Sequence, residues 1–259
     1  MSQINKLTLE NYNRLFTFGC SMTQYEWPTW ADLIGSCVET HHNYGRSGAG
    51  NQYIACAITE ANLKHKFTKD DLIMIMWSSV SREDRYKDGN WQTSGNIYTS
   101  NMMSDEYVLN WADTRYYLLR DLNYIALTQG YLDNLNVDYD MLAMSKFTEL
   151  QLKGRDVDFK NGADILDAYD QVVSRIKPDI LSTQFKGTWP QVPIMMRGNP
   201  SPTDYHPVPQ DHLSYLTKIY PAWKVPKKVR KFAEHYSNKI QEVTYTDELG
   251  WNNNVNWRI

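Results

Sequence analysis

Three residues of this chain have the types and neighbours that acyl transfer needs. Ser21 lies in Phe16-Thr17-Phe18-Gly19-Cys20-Ser21-Met22-Thr23, where a short apolar run enters a Gly-x-Ser turn. A serine hydroxyl is a weak nucleophile near neutral pH and needs a base within hydrogen-bond reach. His206, in Asp204-Tyr205-His206-Pro207, is the candidate base, and Asp204 the group that would hold its tautomer and stabilise the imidazolium. Each piece alone also has an ordinary reading. Gly19 gives a strand-to-helix turn its backbone freedom and Ser21 or Thr23 can serve as an N-cap, which is the first reading of that motif taken by itself. His206 by itself reads as a surface-loop histidine before a proline. His212 is a rival base, but its place one helical turn onward, with Leu213 and Leu216 nearby, suits helix packing better.

The elements that must position these residues can be read from periodicity. Residues 15–18 read as a buried strand, and the apolar Trp30, Leu33, Ile34 and Cys37 recur at helical spacing within 27–37. Ser21 therefore falls near a strand's carboxyl end, where open α/β sheets bind ligands. A second strand precedes Asn43-Tyr44-Gly45-Arg46-Ser47-Gly48-Ala49-Gly50-Asn51, and residues 72–77 form a third that ends in Ser78-Ser79. Residues 81–110 are polar and turn-rich, with Asp88-Gly89-Asn90-Trp91 and Ser94-Gly95-Asn96, and too long for a simple connection, which predicts a substrate-facing cap. A helical pattern spans 107–132, followed by strands near 137–143 and 180–185 and a strand or loop at 192–196. His212, Tyr215, Leu216 and Ile219 predict a helix with Pro207 near its first turn, and 229–243 a final amphipathic helix before an irregular 251–254.

Taken in order, the Ser21 turn, the Asn43 to Asn51 loop, the strand ending in Ser78-Ser79 and the Asp204 to Pro207 segment resemble the four blocks of the SGNH/GDSL hydrolase superfamily. The tail from Asp204 to Leu216 is similar to members found in bacteriophages and aquatic bacteria. The resemblance implies an α/β fold: a three-layer α/β/α sandwich of flavodoxin-like kind, with a mainly parallel central sheet and an inserted helical and loop region. Residues 1–259 would form one domain, with the cap at about 81–135. It further implies Ser21 as nucleophile, His206 as base on a loop returning beside the first strand, and oxyanion donors from the Ser21 and Gly45 amides. Three departures stand out. Cys20 occupies the place of the usual aspartate, and Asp204-x-His206 is one residue shorter than the usual Asp-x-x-His, so a backbone carbonyl is an alternative partner for the imidazole. The third block, usually Gly-x-Asn-Asp, reads Trp77-Ser78-Ser79-Val80-Ser81-Arg82. Ser78 or Ser79 could supply the missing donor, or amides alone could suffice. Arg82 and Asn51 are expected to bind substrate, although a surface salt bridge from Arg82 to Glu83 or Asp84 is an equal reading.

Composition narrows the class. A chain of 259 residues can bury a substantial core, and a net charge of −3 with a pI near 6.1 leaves no electrostatic footprint for nucleic acid. The basic run from Lys224 to Lys231 reads as the solvated start of a helix. With a mean hydropathy of −0.59 and no apolar run near the ~20 residues of a membrane span, and no secretion-signal pattern at the N-terminus, no membrane partner is expected and the location reads as cytoplasmic, or virion-associated for a phage product. Cys20, Cys37 and Cys56 are odd in number and not spaced like zinc ligands. Neither the Cys-x5-Arg phosphatase loop nor a Gly-x4-Gly-Lys-Ser/Thr loop is present. The expectation is a cofactor-free serine esterase that removes acetyl or another small acyl group, with a small-molecule or glycan ester as substrate. Nine tryptophans and eighteen tyrosines, including Trp91, Tyr98, Tyr107 and Trp111, are the ground for the carbohydrate. The alternatives are an O-acyltransferase and a non-catalytic glycan-binding or virion structural protein, alone or as an oligomer.

Overall fold

The computed structural model describes residues 7–99, 103–147, 162–199 and 201–251. Its centre is a sheet of four parallel strands, β1 (Arg14–Gly19), β2 (Thr40–Gly45), β3 (Asp71–Trp77) and β6 (Asp138–Ala143), in the order β2-β1-β3-β6. All seven residues of β3 are buried, as are Leu15 to Gly19 of β1. Such unbroken apolar runs belong to strands covered on both faces.

The strand order dictates the layers. The chain steps from β1 to β2 in one direction and from β2 back past β1 to β3 in the other, so right-handed crossovers put the two connecting helices on opposite faces. One face carries α2 (Asn51–His65) and α4 (Thr114–Leu135), packed on each other, with the short α5 (Ala163–Ala168) and α6 (Asp170–Val173) against α4. The other carries α1 (Trp30–Gly35), packed on α8 (Pro209–Ile219) and α9 (Lys227–Glu242), with α7 (Ile180–Phe185) on α8. This is the expected three-layer α/β/α sandwich.

Several local expectations shift. The 107–132 pattern is two helices, α3 (Asp105–Trp111) and α4, because the Asp113 side chain accepts from the Arg115 and Tyr116 amides and starts a new helix. Residues 180–185 are helix, not strand, since Asp179 takes the Ser182 amide at 2.7 Å and caps α7. At 192–196 there are isolated bridges only, Val192 with Asp204 and Met195 with Tyr245. Helix α8 starts at Pro209, so Pro207 stays outside it. The basic run opens α9 with its lysines and Arg230 exposed. The irregular tail expected at 251–254 lies outside the described residues after Trp251.

The segment expected to be a cap begins as an antiparallel hairpin, β4 (Arg82–Lys87) and β5 (Asn90–Asn96), whose turn places Asp88 and Gly89 at φ 53° and 75°. The hairpin lies along the loop after β2, where the Thr93 hydroxyl donates to the Ser47 carbonyl at 2.6 Å and the Gly95 amide to Gly48 at 3.0 Å. The helical half of that segment is α4, which buries Leu118, Leu122, Ile125 and Leu132 in the core and is thus a layer of the sandwich.

Candidate active site

Ser21 stands in the turn directly after β1. The Thr23 and Gln24 amides both donate to the Cys20 carbonyl and close the turn. Only glycine fits before it, because a Cβ on Gly19 would lie 2.0 Å from Thr23 Oγ1. Helix α1 is capped by Thr29 rather than by Ser21 or Thr23. The Ser21 hydroxyl is instead directed at His206, with Oγ 2.9 Å from Nε2.

On the far side of the ring, Nδ1 lies 2.9 Å from Asp204 Oδ1. The same oxygen accepts the His206 amide at 2.8 Å. A carboxylate only accepts, so the ring proton belongs on Nδ1 and Nε2 is left to accept from Ser21. The shortened Asp-x-His spacing therefore closes into a tight loop in which one oxygen holds both the main chain and the ring. Burial pushes the Asp204 carboxyl up, but the hydrogen bond and charge of His206, the Tyr25 hydroxyl and the His206 amide outweigh it and hold the group below the usual carboxylate range.

Two residues that sequence reasoning missed complete this arrangement. Tyr25 donates its hydroxyl to Asp204 Oδ2 at 2.5 Å and stacks on the imidazole, ring centroids 3.6 Å apart at 22°. Trp27 packs edge-on against Tyr25 and donates its indole N–H to the Pro207 carbonyl at 2.8 Å. Their only trace in the sequence is a pair of aromatics at alternate positions just after the nucleophile turn. The rival His212 is 1% exposed on α8, with burial, then the charge of His206, driving its pKa down to about 3. It belongs to the helix packing.

Other expected site residues have structural work. The Gly45 amide, the expected oxyanion donor, is spent on Asn43 Oδ1 at 2.9 Å, and Gly45 serves as the strand end that packs against the turn, where a Cβ would meet the Gln24 amide at 2.7 Å. Asn51, expected to touch substrate, is fully buried. Its side chain accepts the Ser78 amide at 2.8 Å and donates to the Ser78 carbonyl and Asp121, tying α2 to β3 and α4. Ser78 is locked by that pairing with its hydroxyl sealed from solvent, and the Ser79 hydroxyl accepts from Arg82 at 3.3 Å. The Ser79 hydroxyl, accepting there, keeps its own proton to donate. The backbone amides without an acceptor among the described residues at this edge include those of Ser21 and of Gly48, the latter at φ +74°.

Beside His206 opens a groove of about 620 Å³, lined by Gln24, Glu26, Ser47, Met196, Thr203 and Tyr205 among others. Tyr205 is the exposed aromatic there, at 44%. Trp91, Tyr98, Tyr107 and Trp111, expected to stack on sugars, do not line it; Tyr98 is buried and Trp111 is 72% exposed on α3. Among the described residues no cluster of three or more His, Cys, Asp or Glu could hold a metal ion, and no helix is long and apolar enough to cross a membrane.

No family model matches the sequence, and no curated protein matches it. Among solved structures, the chain is similar to a member of the lipolytic protein G-D-S-L family from Veillonella parvula, with 16% identity over 81% of this chain and 99% of that one and a TM-score of 0.44. A GDSL-like lipase from Bacteroides thetaiotaomicron has 9% identity over 89% of this chain and 92% of its own, with a TM-score of 0.43. At this distance the chemistry is decided by the side chains of the site itself.

Proposed function

We propose that the protein is a serine esterase of the SGNH kind that hydrolyses small acyl esters, with Ser21 as nucleophile, His206 as general base and Asp204 as its orienting partner. The observation that carries this reading is the unbroken relay from Ser21 Oγ through His206 to Asp204, each step 2.9 Å. His206 takes the Ser21 proton as Oγ attacks the ester carbonyl, and returns it to the leaving alkoxide as the C–O bond breaks. Water then attacks the acyl-enzyme, giving its proton to His206, which passes it to Ser21 as the acid leaves. The Ser21 and Gly48 amides, which meet no acceptor among the described residues, are the backbone donors this reading assigns to the oxyanion.

The groove next to His206 is where the departing alcohol must sit, because its oxygen receives the proton from Nε2. That groove carries the polar side chains of Gln24, Glu26, Ser47 and Thr203 beside the exposed ring of Tyr205, and this favours a carbohydrate alcohol, with a small acyl group such as acetyl. Its open mouth gives water access to the acyl-enzyme, which favours hydrolysis over transfer to a second alcohol. The test is labelling with a fluorophosphonate together with turnover of p-nitrophenyl acetate, in the wild type and in Ser21→Ala. Both signals in the wild type and neither in the folded variant are expected. Equal behaviour of the two proteins would refute the assignment.

A further inference from the structure

Arg82 is a buried cation with no anion beside it among the described residues. Its side chain comes off the first residue of β4, and the residue is only 8% exposed. The guanidinium donates to the Ala49 carbonyl at 3.0 Å and to the Ser79 hydroxyl at 3.3 Å, and Nη2 lies 3.7 Å from the Met144 thioether. A thioether is a weak acceptor, so N–H groups of Nη1 and Nη2 are left over. No carboxylate of the described residues comes within ion-pair distance. Glu83 is held by Arg120, Arg85 and the Tyr117 hydroxyl. Asp84 lies near enough to feel the Arg82 charge, but its two oxygens are occupied by the Gly50 and Tyr53 amides. The contrast with Arg120 is informative, because that arginine is buried on α4 and paired with both Glu83 and Asp121. A buried charge left unpaired is costly, so its retention needs a counterion.

The place of this cation says which part of a ligand it meets. Ala49 follows the loop after β2, Ser79 follows β3, and Met144 follows β6 and touches Cys20 Sγ at 3.7 Å, next to the nucleophile. The guanidinium thus lies across the carboxyl ends of the parallel strands, one side chain, Met144, away from the turn that carries Ser21. The groove beside His206 is lined by the loops around residues 24–26 and 196–206 with Ser47, and by nothing from β3 or β6. The leaving alcohol takes the His206 side, which leaves the Arg82 side for the acyl group.

We infer that Arg82 binds a carboxylate carried on the acyl part of the ester, so that the preferred substrates are half-esters of small dicarboxylic acids. The inference rests on the Ser21 esterase reading. A planar guanidinium with free N–H groups on adjacent nitrogens matches the two oxygens of a carboxylate. The experiment compares methyl hydrogen succinate with its neutral isostere methyl isocaproate, following methanol release by the wild type, Arg82→Gln and Arg82→Lys. The wild type is expected to favour the charged ester at least tenfold in kcat/KM, as hydrogen bonds to a charged group are worth roughly ten- to a hundredfold. In Arg82→Gln the charged-to-neutral ratio should collapse toward one, with Arg82→Lys between them. A wild type without preference overturns the inference, as does a ratio that survives Arg82→Gln while both rates fall together. If no ester is turned over and no fluorophosphonate label attaches, it is the esterase reading that fails. Calorimetry of succinate with the Ser21→Ala protein then decides the anion site alone: heat lost on adding Arg82→Gln supports it, and no heat overturns it.

Discussion

Asp204 is anchored through both of its oxygens, and this makes its replacement a clean separation of positioning from bulk. Asparagine at 204 keeps the shape but presents an amide in place of a carboxylate, so it cannot accept from His206 Nδ1, the His206 amide and the Tyr25 hydroxyl at once. The imidazole then loses its tautomer, and kcat should fall by roughly 10² to 10⁴ with thermal unfolding little changed. Tyr25→Phe is milder: the stack on His206 stays while Asp204 Oδ2 loses its donor. Steady-state kinetics should give a loss of about tenfold in kcat at near-constant KM, and an unaltered kcat would reduce Tyr25 to packing. That Ser21, His206 and Asp204 come together was legible in the sequence from their types and order. Tyr25 and Trp27 were not, since an aromatic in a loop has no periodicity to show what it faces. The internal bonds of Gly45, Asn51 and Ser78 were hidden for a related reason: a polar group in a motif can serve a neighbouring backbone as readily as a ligand.

At the scale of elements, the hairpin does for α2 what the helix cannot do for itself. Its N-cap is Gly50, without a side chain, and the Asp84 carboxylate of β4 accepts the Gly50 and Tyr53 amides at 2.9 Å each. Asp84→Ala removes both bonds and the negative charge at the helix start, and should cost about 2 kcal/mol in urea unfolding. A loss below a few tenths would show that water replaces the carboxylate. Strands β1 and β3 were readable as apolar runs with turn signals behind them, whereas β2, Thr40-His41-His42-Asn43-Tyr44-Gly45, was placed by the glycine-rich loop after it. The helix at Ile180–Phe185 was not readable, because six residues are too short for a period to declare itself and the deciding feature was the Asp179 cap. The break at Asp113 hid inside a continuous helical pattern for the same reason, one side chain overriding periodicity.

For the molecule as a whole, buried titratable groups set the response to acid. Burial lowers His212 from 6.5 to about 3, and lowers His41, with a further push from His42, to about 4. Below pH 6.5 the unfolded chain takes up protons at these rings while the folded one does not, so they withdraw stability as pH falls toward 4. Asp32 and Asp121 act in the opposite sense: burial raises both from 3.8 to about 6, so the folded state gains protons first as pH falls through that window and recovers part of the loss. His212→Leu should therefore lose about 2 kcal/mol less than the wild type between about pH 7 and pH 4.5 in urea titrations. Parallel losses in the two proteins would show that other groups dominate.

The parallel sheet and its flanking layers were foreseeable from the order of the blocks, whereas the pairing of Ser21 with His206 joins residues 185 positions apart. A chain emerging from the ribosome has all four strands of the sheet outside before the loop that carries the base exists. Until that loop is made, Ser21 has no imidazole beside it, so a synthesis halted upstream of residue 204 leaves the serine without its proposed base.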